Sequence, residues 1–218
     1  MDQQLIINIM MWIVPLSLAI IVHEVAHGWV ADKLGDPTAK NLGRLTLNPI
    51  SHIDPVGTIL VPALLMFSGA SFLFGWAKPV PVMVHKLKNP RRDMIWVALA
   101  GPAANLLMVI AWAIIGKVLI TTMAQDSSSL QFLWGVVVKG VQINLVLMVF
   151  NLLPMLPLDG GRVLHGLLPQ ELGDKFAITE RYGMFIIVGL LATGMLSKII
   201  GPPLYYMISL VFSVVLGQ

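Results

Sequence analysis

His23, Glu24 and His27 form the pattern H-E-x-x-H within the stretch IIVHEVAHGWVAD. If this stretch is helical, residues four positions apart share one face, so both imidazoles can bind a single metal ion. Glu24 then lies beside the position that the metal keeps open, where it can serve as a general base. The pattern therefore predicts metal-assisted hydrolysis. The alternative is a chance pair of histidines on the surface or in the core of a helical protein.

The residues that precede this motif favour the metal site. From Leu5 to Val22 the sequence contains no ionisable side chain, and eighteen such residues are enough for a helix that crosses a membrane. Histidine and glutamate at the end of such a helix are costly in hydrocarbon and need a partner. We expect a metal ion to be that partner.

Composition indicates an integral membrane protein. Apolar residues make up 57% of the chain and charged residues only 11%, whereas about a quarter of a soluble domain is charged. The net charge of +3 is small, so we interpret the basic residues as topology signals and expect no nucleic-acid partner. The chain has no cysteine, so any metal ligands come from His, Asp and Glu. No repeat or separate soluble unit is visible, and we expect one membrane domain over residues 1–218.

Asp159 is the best candidate for a third metal ligand. A catalytic zinc ion usually takes three protein ligands and leaves one position for water. Asp159 follows two prolines that end a predicted membrane span, and it precedes two glycines. Backbone broken by proline within a membrane has to face protein or water. The alternative for Asp159 is a helix-capping role ahead of Gly160.

Three further polar residues are candidates for other roles. Asn105 and Asn151 lie in predicted spans and can donate to a substrate backbone or to a developing oxyanion, although packing between helices explains each about as well. His52, in the sequence NPISHIDP, is a candidate for an additional ligand or a proton relay. The alternative for His52 is an ordinary loop histidine that is exposed or locally bonded.

Three segments together resemble the site-2 protease family of intramembrane zinc metalloproteases: HEVAH at 23–27, GPAAN ending at Asn105, and NLLPMLPLDGGR at 151–162. This resemblance implies proteolysis of transmembrane protein substrates inside the bilayer. It also implies one zinc ion per chain on His23, His27 and Asp159, with Glu24 as the base. We expect the minimal form of the family, without the PDZ or CBS modules of other members.

The expected fold is an all-α polytopic membrane protein with about five full transmembrane helices. The predicted spans cover approximately residues 5–31, 94–116, 132–153, 184–200 and 204–216, and Gly201-Pro202-Pro203 joins the last two. Alternating side chains near 42–50 predict a short β-strand or hairpin, whose edge is a candidate for pairing with an unwound substrate segment. The basic, proline-containing segment from Gly75 to Asp93 predicts a surface loop.

A single metal ion also constrains the topology. Its ligands must lie at one depth, so the first span and the span at 132–153 should run parallel, with the span at 94–116 antiparallel to both. An even number of crossings must then separate the first span from that at 94–116. We therefore expect residues 56–74 to be a re-entrant segment that turns near Ser68 to Ser71.

The distribution of lysine and arginine agrees with this topology. In this layout the basic residues outside the spans crowd on one side, with only Lys117 and Lys198 opposite. The positive-inside rule then predicts an outside N-terminus and a cytoplasmic C-terminus in the plasma membrane, with the metal nearer the cytoplasmic face.

Two other functions use the same buried polar groups. One is a membrane metal-ion transporter, and the other is a metal-bound adaptor that binds transmembrane helices without cleaving them. A transporter would not require Glu24 beside the first histidine, and it would more often show inverted repeats, which we do not find. The leading prediction is therefore a zinc endopeptidase of regulated intramembrane proteolysis.

Overall fold

The computed structural model describes residues 3–69, 72, 74–124 and 127–217. These residues form the α-helices α1 (Gln3–Lys33), α2 (Thr38–Asn41), α3 (Val61–Phe67), α4 (Pro90–Thr122), α5 (Ser128–Asn151), α6 (Asp159–Leu167), α7 (Gln170–Ala177), α8 (Glu180–Ala192) and α9 (Met195–Leu216). Short 3-10 turns cover Pro49–His52 and Val84–Lys86, and a π-helical stretch, Pro55–Leu60, leads into α3. The protein is an all-α polytopic membrane protein, as predicted.

Helices α1, α4 and α5 form the core that carries the metal-binding motif. Along α4, Val97 contacts His27 of α1 and Asn105 contacts His23, so the two helices run antiparallel. Helix α4 also runs antiparallel to α5, because Asn105 meets Asn144 while Trp112, two turns later, packs at Gly140. Helices α1 and α5 are therefore parallel, as the metal-site argument predicts.

The segment between α1 and α4 turns back on itself. The amide of Trp76 donates to the Gly57 carbonyl at 3.1 Å, and the Thr58 hydroxyl donates to the Trp76 carbonyl at 2.9 Å. A turn follows α3 at Ser68 and Gly69, where Gly69 has φ of 71°. The predicted turn near residues 68–71 therefore begins as expected, and positions 70 and 71 lie outside the described residues.

The number of long apolar helices differs from the prediction. Four described helices are long and apolar enough to cross a membrane, α1, α4, α5 and α9, rather than about five. Helix α8 has 13 residues and is about 20 Å long, less than the roughly 30 Å of a hydrocarbon core. The chain turns at Gly194, whose φ of 68° suits glycine. Pro202 and Pro203, predicted to form the turn, instead lie inside α9.

The predicted strand or hairpin near residues 42–50 is wrong. Described residues 42–48 form no strand, and a 3-10 turn starts at Pro49. The neighbouring segment carries Pro79 and Pro81, which lack the amide donors that a β-ladder needs. The two segments are joined instead by a bond from the Lys78 amide to the His52 carbonyl and by Arg44, whose guanidinium donates to the Lys78 carbonyl.

The segment from Gly75 to Asp93 is only partly a surface loop. Its basic side chains are mostly exposed, but Val80 and Leu87 are buried. Val80 packs at Gly28 of α1 and Leu87 clusters with Ala31, so these two residues fix the segment against the C-terminal part of α1.

Buried Asp36 also anchors this segment to the end of α1. It accepts hydrogen bonds from the amide and hydroxyl of Thr38 and from the amide of Met83. Burial alone would raise the pKa of Asp36, but these hydrogen bonds and the charge of Lys86 outweigh burial and hold the pKa below its ordinary value.

Candidate metal centre

Helix α1 brings His23 and His27 onto one face, and α6 adds Asp159 at its first turn. The two Nε2 atoms lie 3.0 Å apart. The Asp159 carboxylate reaches both rings, with Oδ2 at 3.3 Å from His23 Nε2 and Oδ1 at 3.4 Å from His27 Nε2. The structure thus gathers two imidazole nitrogens and a carboxylate at one point, a group that can hold a metal ion.

The hydrogen-bond partners of the two Nδ1 atoms determine which nitrogen of each ring carries the proton. Nδ1 of His27 lies 2.7 Å from the Val97 carbonyl, and Nδ1 of His23 lies 2.6 Å from Oδ1 of Asn105. Both partners are acceptors, so each Nδ1 carries the proton. In the neutral rings both Nε2 lone pairs therefore point at each other and at the Asp159 carboxylate. The two lone pairs and the carboxylate repel one another unless a cation lies between them.

A zinc ion fits this donor set. Tetrahedral zinc with bonds of about 2.0–2.1 Å separates its ligand atoms by about 3.3 Å, close to the 3.0, 3.3 and 3.4 Å found here. Asp159 Oδ2 is buried and has no hydrogen-bond donor among the described residues. Two nitrogens with a carboxylate oxygen are a common ligand set for catalytic zinc.

The backbone around Asp159 is packed too tightly to admit larger residues. Leu152 to Leu158 fold into successive turns, with a cis peptide bond before Pro157. A Cβ on Gly160 would lie 2.5 Å from the Leu153 carbonyl oxygen, and one on Gly161 would overlap the backbone of Met155. The two glycines after Asp159 are therefore required for α6 to approach the end of α5.

Arg91 fixes α6 at its other end. Its guanidinium donates to the carbonyls of His165, Gly166 and Leu168. A cation that satisfies the last carbonyls of a helix also complements the helix dipole. Because Arg91 belongs to α4, it ties the helix that carries Asp159 to a helix that packs on both histidines.

Gly101 gives the two imidazole rings their space. A Cβ at this position of α4 would lie 2.5 Å from His23 Cε1 and 2.6 Å from His27 Cε1. Real Cβ atoms essentially never approach so closely, so only glycine allows α4 to cover the rings as it does.

Glu24 lies next to this group and is oriented by the segment that follows α3. Its Oε2 accepts a hydrogen bond of 2.7 Å from the Val80 amide, and Oε1 has no donor among the described residues. Gly28, one turn further along α1, makes this approach possible, because a Cβ there would lie 2.6 Å from a Val80 methyl group. One carboxylate oxygen of Glu24 is thus held and the other is available.

The remaining predicted site residues have other contacts. Asn105 is fully buried, with Oδ1 on His23 and Nδ2 bonded within the protein, so its amide faces a metal-site histidine rather than an open position. Asn151 donates to the Leu147 carbonyl of its own helix at 2.9 Å. Buried His52 places Nε2 at 2.9 Å from the Thr46 carbonyl and is not part of the three-residue group. Substrate or oxyanion contacts of Asn105 and Asn151 stay predictions.

Several groups that shape the site could not be predicted from residue types and spacing. The Val97 carbonyl, the Val80 amide and the side chain of Asn144 all act through contacts between distant segments. Backbone groups leave no signal in the residue types. For Asn144, the available signal is a polar side chain in an apolar span.

Comparison with known proteins identifies the family. The model of Peptidase family M50 matches residues 11–193. The chain is 40% identical over 200 residues to a Bacillus subtilis (strain 168) protein named "Putative zinc metalloprotease YwhC", covering 88% of this chain and 84% of the relative. It is 32% identical over 187 residues to "Putative zinc metalloprotease Rip2" of Mycolicibacterium smegmatis, covering 86% and 67% respectively. No solved structure matches.

The family match covers most of the chain, including both histidines and the aspartate of the metal-binding group. It therefore selects the protease over the transporter and adaptor alternatives, with zinc as the cofactor. The chain belongs to peptidase family M50, the site-2 protease family that its motifs resemble, and it is a membrane-embedded zinc metalloprotease.

Proposed function

We propose that this protein is an intramembrane endopeptidase that cleaves peptide bonds in or near transmembrane segments of other membrane proteins, in regulated intramembrane proteolysis. The observation that carries the proposal is the position of the metal-binding group. His23 and His27 lie on a helix long and apolar enough to span a membrane, under the cover of a second such helix, α4. A substrate that reaches this group has to enter or adjoin the bilayer.

In this mechanism, His23, His27 and Asp159 hold zinc through the atoms that converge in the structure. Zinc, when bound, supplies a Lewis acid that polarises the scissile carbonyl and lowers the pKa of water. Glu24 accepts the proton of the attacking water at its available oxygen and delivers it to the leaving amine. The Val80 amide keeps the carboxylate of Glu24 from rotating, because it binds the other oxygen.

The substrate has to change conformation before it is cut. The backbone of a transmembrane helix is hydrogen-bonded to itself, so its peptide bonds are shielded until the helix unwinds locally. Residues 74–83 form no helix, and the amide of Val80 within them donates to Glu24. We infer that an unwound substrate segment passes close to them.

We further propose that residues 1–218 act as one membrane domain in the plasma membrane, with the N-terminus outside and the C-terminus cytoplasmic. The excess of basic residues on one side supports this orientation. The metal-binding group would then lie nearer the cytoplasmic face.

The test uses purified protein comprising residues 1–218 and a model transmembrane substrate. We expect the protein to bind one equivalent of zinc and to cleave the substrate. A chelator should abolish cleavage, and added zinc should restore it. Glu24→Gln should still bind zinc but should not cleave the substrate. Asp32→Asn is the matched control, since Asp32 is a carboxylate on the same helix that pairs with Lys40 away from the site. Turnover by Glu24→Gln, or cleavage that persists without zinc, would refute the proposal.

A further inference from the structure

A chain of hydrogen bonds connects His23 to the interior of α5. Nδ1 of His23 lies 2.6 Å from Oδ1 of Asn105, and Nδ2 of Asn105 donates to Oδ1 of Asn144 at 2.9 Å. Nδ2 of Asn144 in turn donates to the Gly140 carbonyl at 2.8 Å. Both asparagine side chains are fully buried. The bonds therefore cross three helices that form the core of the protein.

The direction of every bond in this chain is fixed by backbone carbonyls, which can only accept. The Gly140 carbonyl orients the amide of Asn144 so that its oxygen faces Asn105. The second Nδ2 hydrogen of Asn105 points to the Ala19 carbonyl at 3.2 Å. With both hydrogens used, Asn105 has to present its oxygen to His23, and the proton of that ring has to lie on Nδ1.

We propose that Asn144 is a positioning residue for the metal site, which keeps the Nε2 lone pair of His23 directed at the metal by fixing the amide of Asn105. The proposal rests on His23 being a zinc ligand. It assigns to α5 a part in the site although no α5 side chain belongs to the metal-binding group.

Loss of the Asn144 oxygen would leave the Ala19 carbonyl, at 3.2 Å, as the remaining acceptor for Nδ2 of Asn105 among the described residues. The amide of Asn105 would then be held less firmly and could flip. The flipped amide presents Nδ2 to His23 Nδ1, which then has to accept a hydrogen bond. The ring proton moves to Nε2, where it occupies the position that zinc requires. A packing role alone would not have this effect, because an apolar residue of similar size would fill the same space between the helices.

The test measures zinc affinity rather than activity alone. Purified protein comprising residues 1–218 is stripped of metal, and Zn²⁺ binding is measured in competition with a chromogenic chelator. Asn144→Leu keeps the volume but removes the oxygen, and we expect its zinc affinity to fall by about tenfold or more, the effect usual for groups that orient metal ligands. Asn144→Asp keeps an oxygen facing Asn105, so its affinity should stay close to that of the wild type.

Leu145→Ala serves as the structural control, because Leu145 is the next residue of α5 and is equally buried, in an apolar cluster. It should lower the thermal unfolding midpoint without weakening zinc binding. In metal-free protein labelled with ¹⁵N-histidine, Asn144→Leu should convert one ring from the Nδ1-protonated to the Nε2-protonated tautomer, and Leu145→Ala should not.

Wild-type affinity in Asn144→Leu would overturn the proposal, as would an equal loss of affinity in Leu145→Ala or Asn144→Asp. These failures leave the metal site itself intact. A wild-type chain that binds no zinc, or one whose binding is unaffected by His27→Ala, would instead contradict the proposed ligands and remove the basis for Asn144 as well.

Discussion

Replacement of Gly101 by alanine should disable the metal site while preserving the fold. The new Cβ would lie 2.5 Å from His23 Cε1 and 2.6 Å from His27 Cε1, whereas ordinary contacts begin at 3.4 Å. Both rings would therefore have to move by nearly an ångström, against the bonds that Asn105 and Val97 make to them. A displacement of roughly 1 Å in a catalytic site can cost about 100-fold in rate.

The effect on stability should be much smaller than the effect on zinc. Overpacking costs about 1–3 kcal/mol, but alanine also favours a helix over glycine by about 1 kcal/mol, so the two contributions partly cancel. We expect Gly101→Ala to unfold within a few degrees of the wild type, to bind zinc much more weakly and to lose at least 100-fold in cleavage rate.

Three measurements on purified variants are needed: zinc affinity, cleavage of a model transmembrane substrate and the thermal unfolding midpoint. Gly189→Ala is the matched control, since Gly189 is also helical and a Cβ there meets no atom within 4 Å. This control should behave as the wild type in all three measurements. Normal zinc binding and cleavage by Gly101→Ala would refute the geometry of the site described above.

Three further predictions concern the surroundings of the site. The folded-state pKa of Asp36 lies below its ordinary value of 3.8, so the stabilisation by its carboxylate should be complete above pH 3.8 and lost as the pH falls through the folded-state pKa. The thermal unfolding midpoints of wild type and Asp36→Asn should therefore differ at neutral pH and converge in acid. A difference that does not change with pH would contradict this role of Asp36. Arg91→Met should weaken zinc binding and lower the unfolding midpoint, because α6 loses the donor to its last carbonyls, and an unchanged midpoint would refute this role. A reporter inserted at residues 84–89 should be cytoplasmic, and an outside location would overturn the re-entrant topology.

The approach of Asp159 to His23 and His27 could be predicted from the sequence because the constraints on these residues are local. The spacing of His23 and His27 sets a helical face whatever the rest of the fold does. Asp159 stood out because prolines and glycines around it mark backbone that cannot continue a membrane helix. The structure adds the reason for the glycines, which is the close approach of α6 to the end of α5.

The features that were predicted wrongly or missed depend on contacts between distant segments. The strand near residues 42–50 was inferred from alternation, but the prolines of the segment beside it remove the donors for pairing. The turn assigned to Pro202 and Pro203 lies instead at Gly194, since a membrane helix tolerates proline where other groups satisfy the backbone. The bond from the Val80 amide to Glu24 joins residues 56 positions apart and has no local sequence signal.

We propose above that His23, His27 and Asp159 hold one zinc ion that is required for cleavage. X-ray absorption at the zinc edge of the purified chain tests it most directly, together with Asp159→Ala. We expect one zinc per chain, bound by two imidazole nitrogens and a carboxylate oxygen at about 2.0–2.2 Å. Asp159→Ala should lose the oxygen ligand and bind zinc much more weakly. A zinc environment that is identical in the wild type and in Asp159→Ala would contradict it.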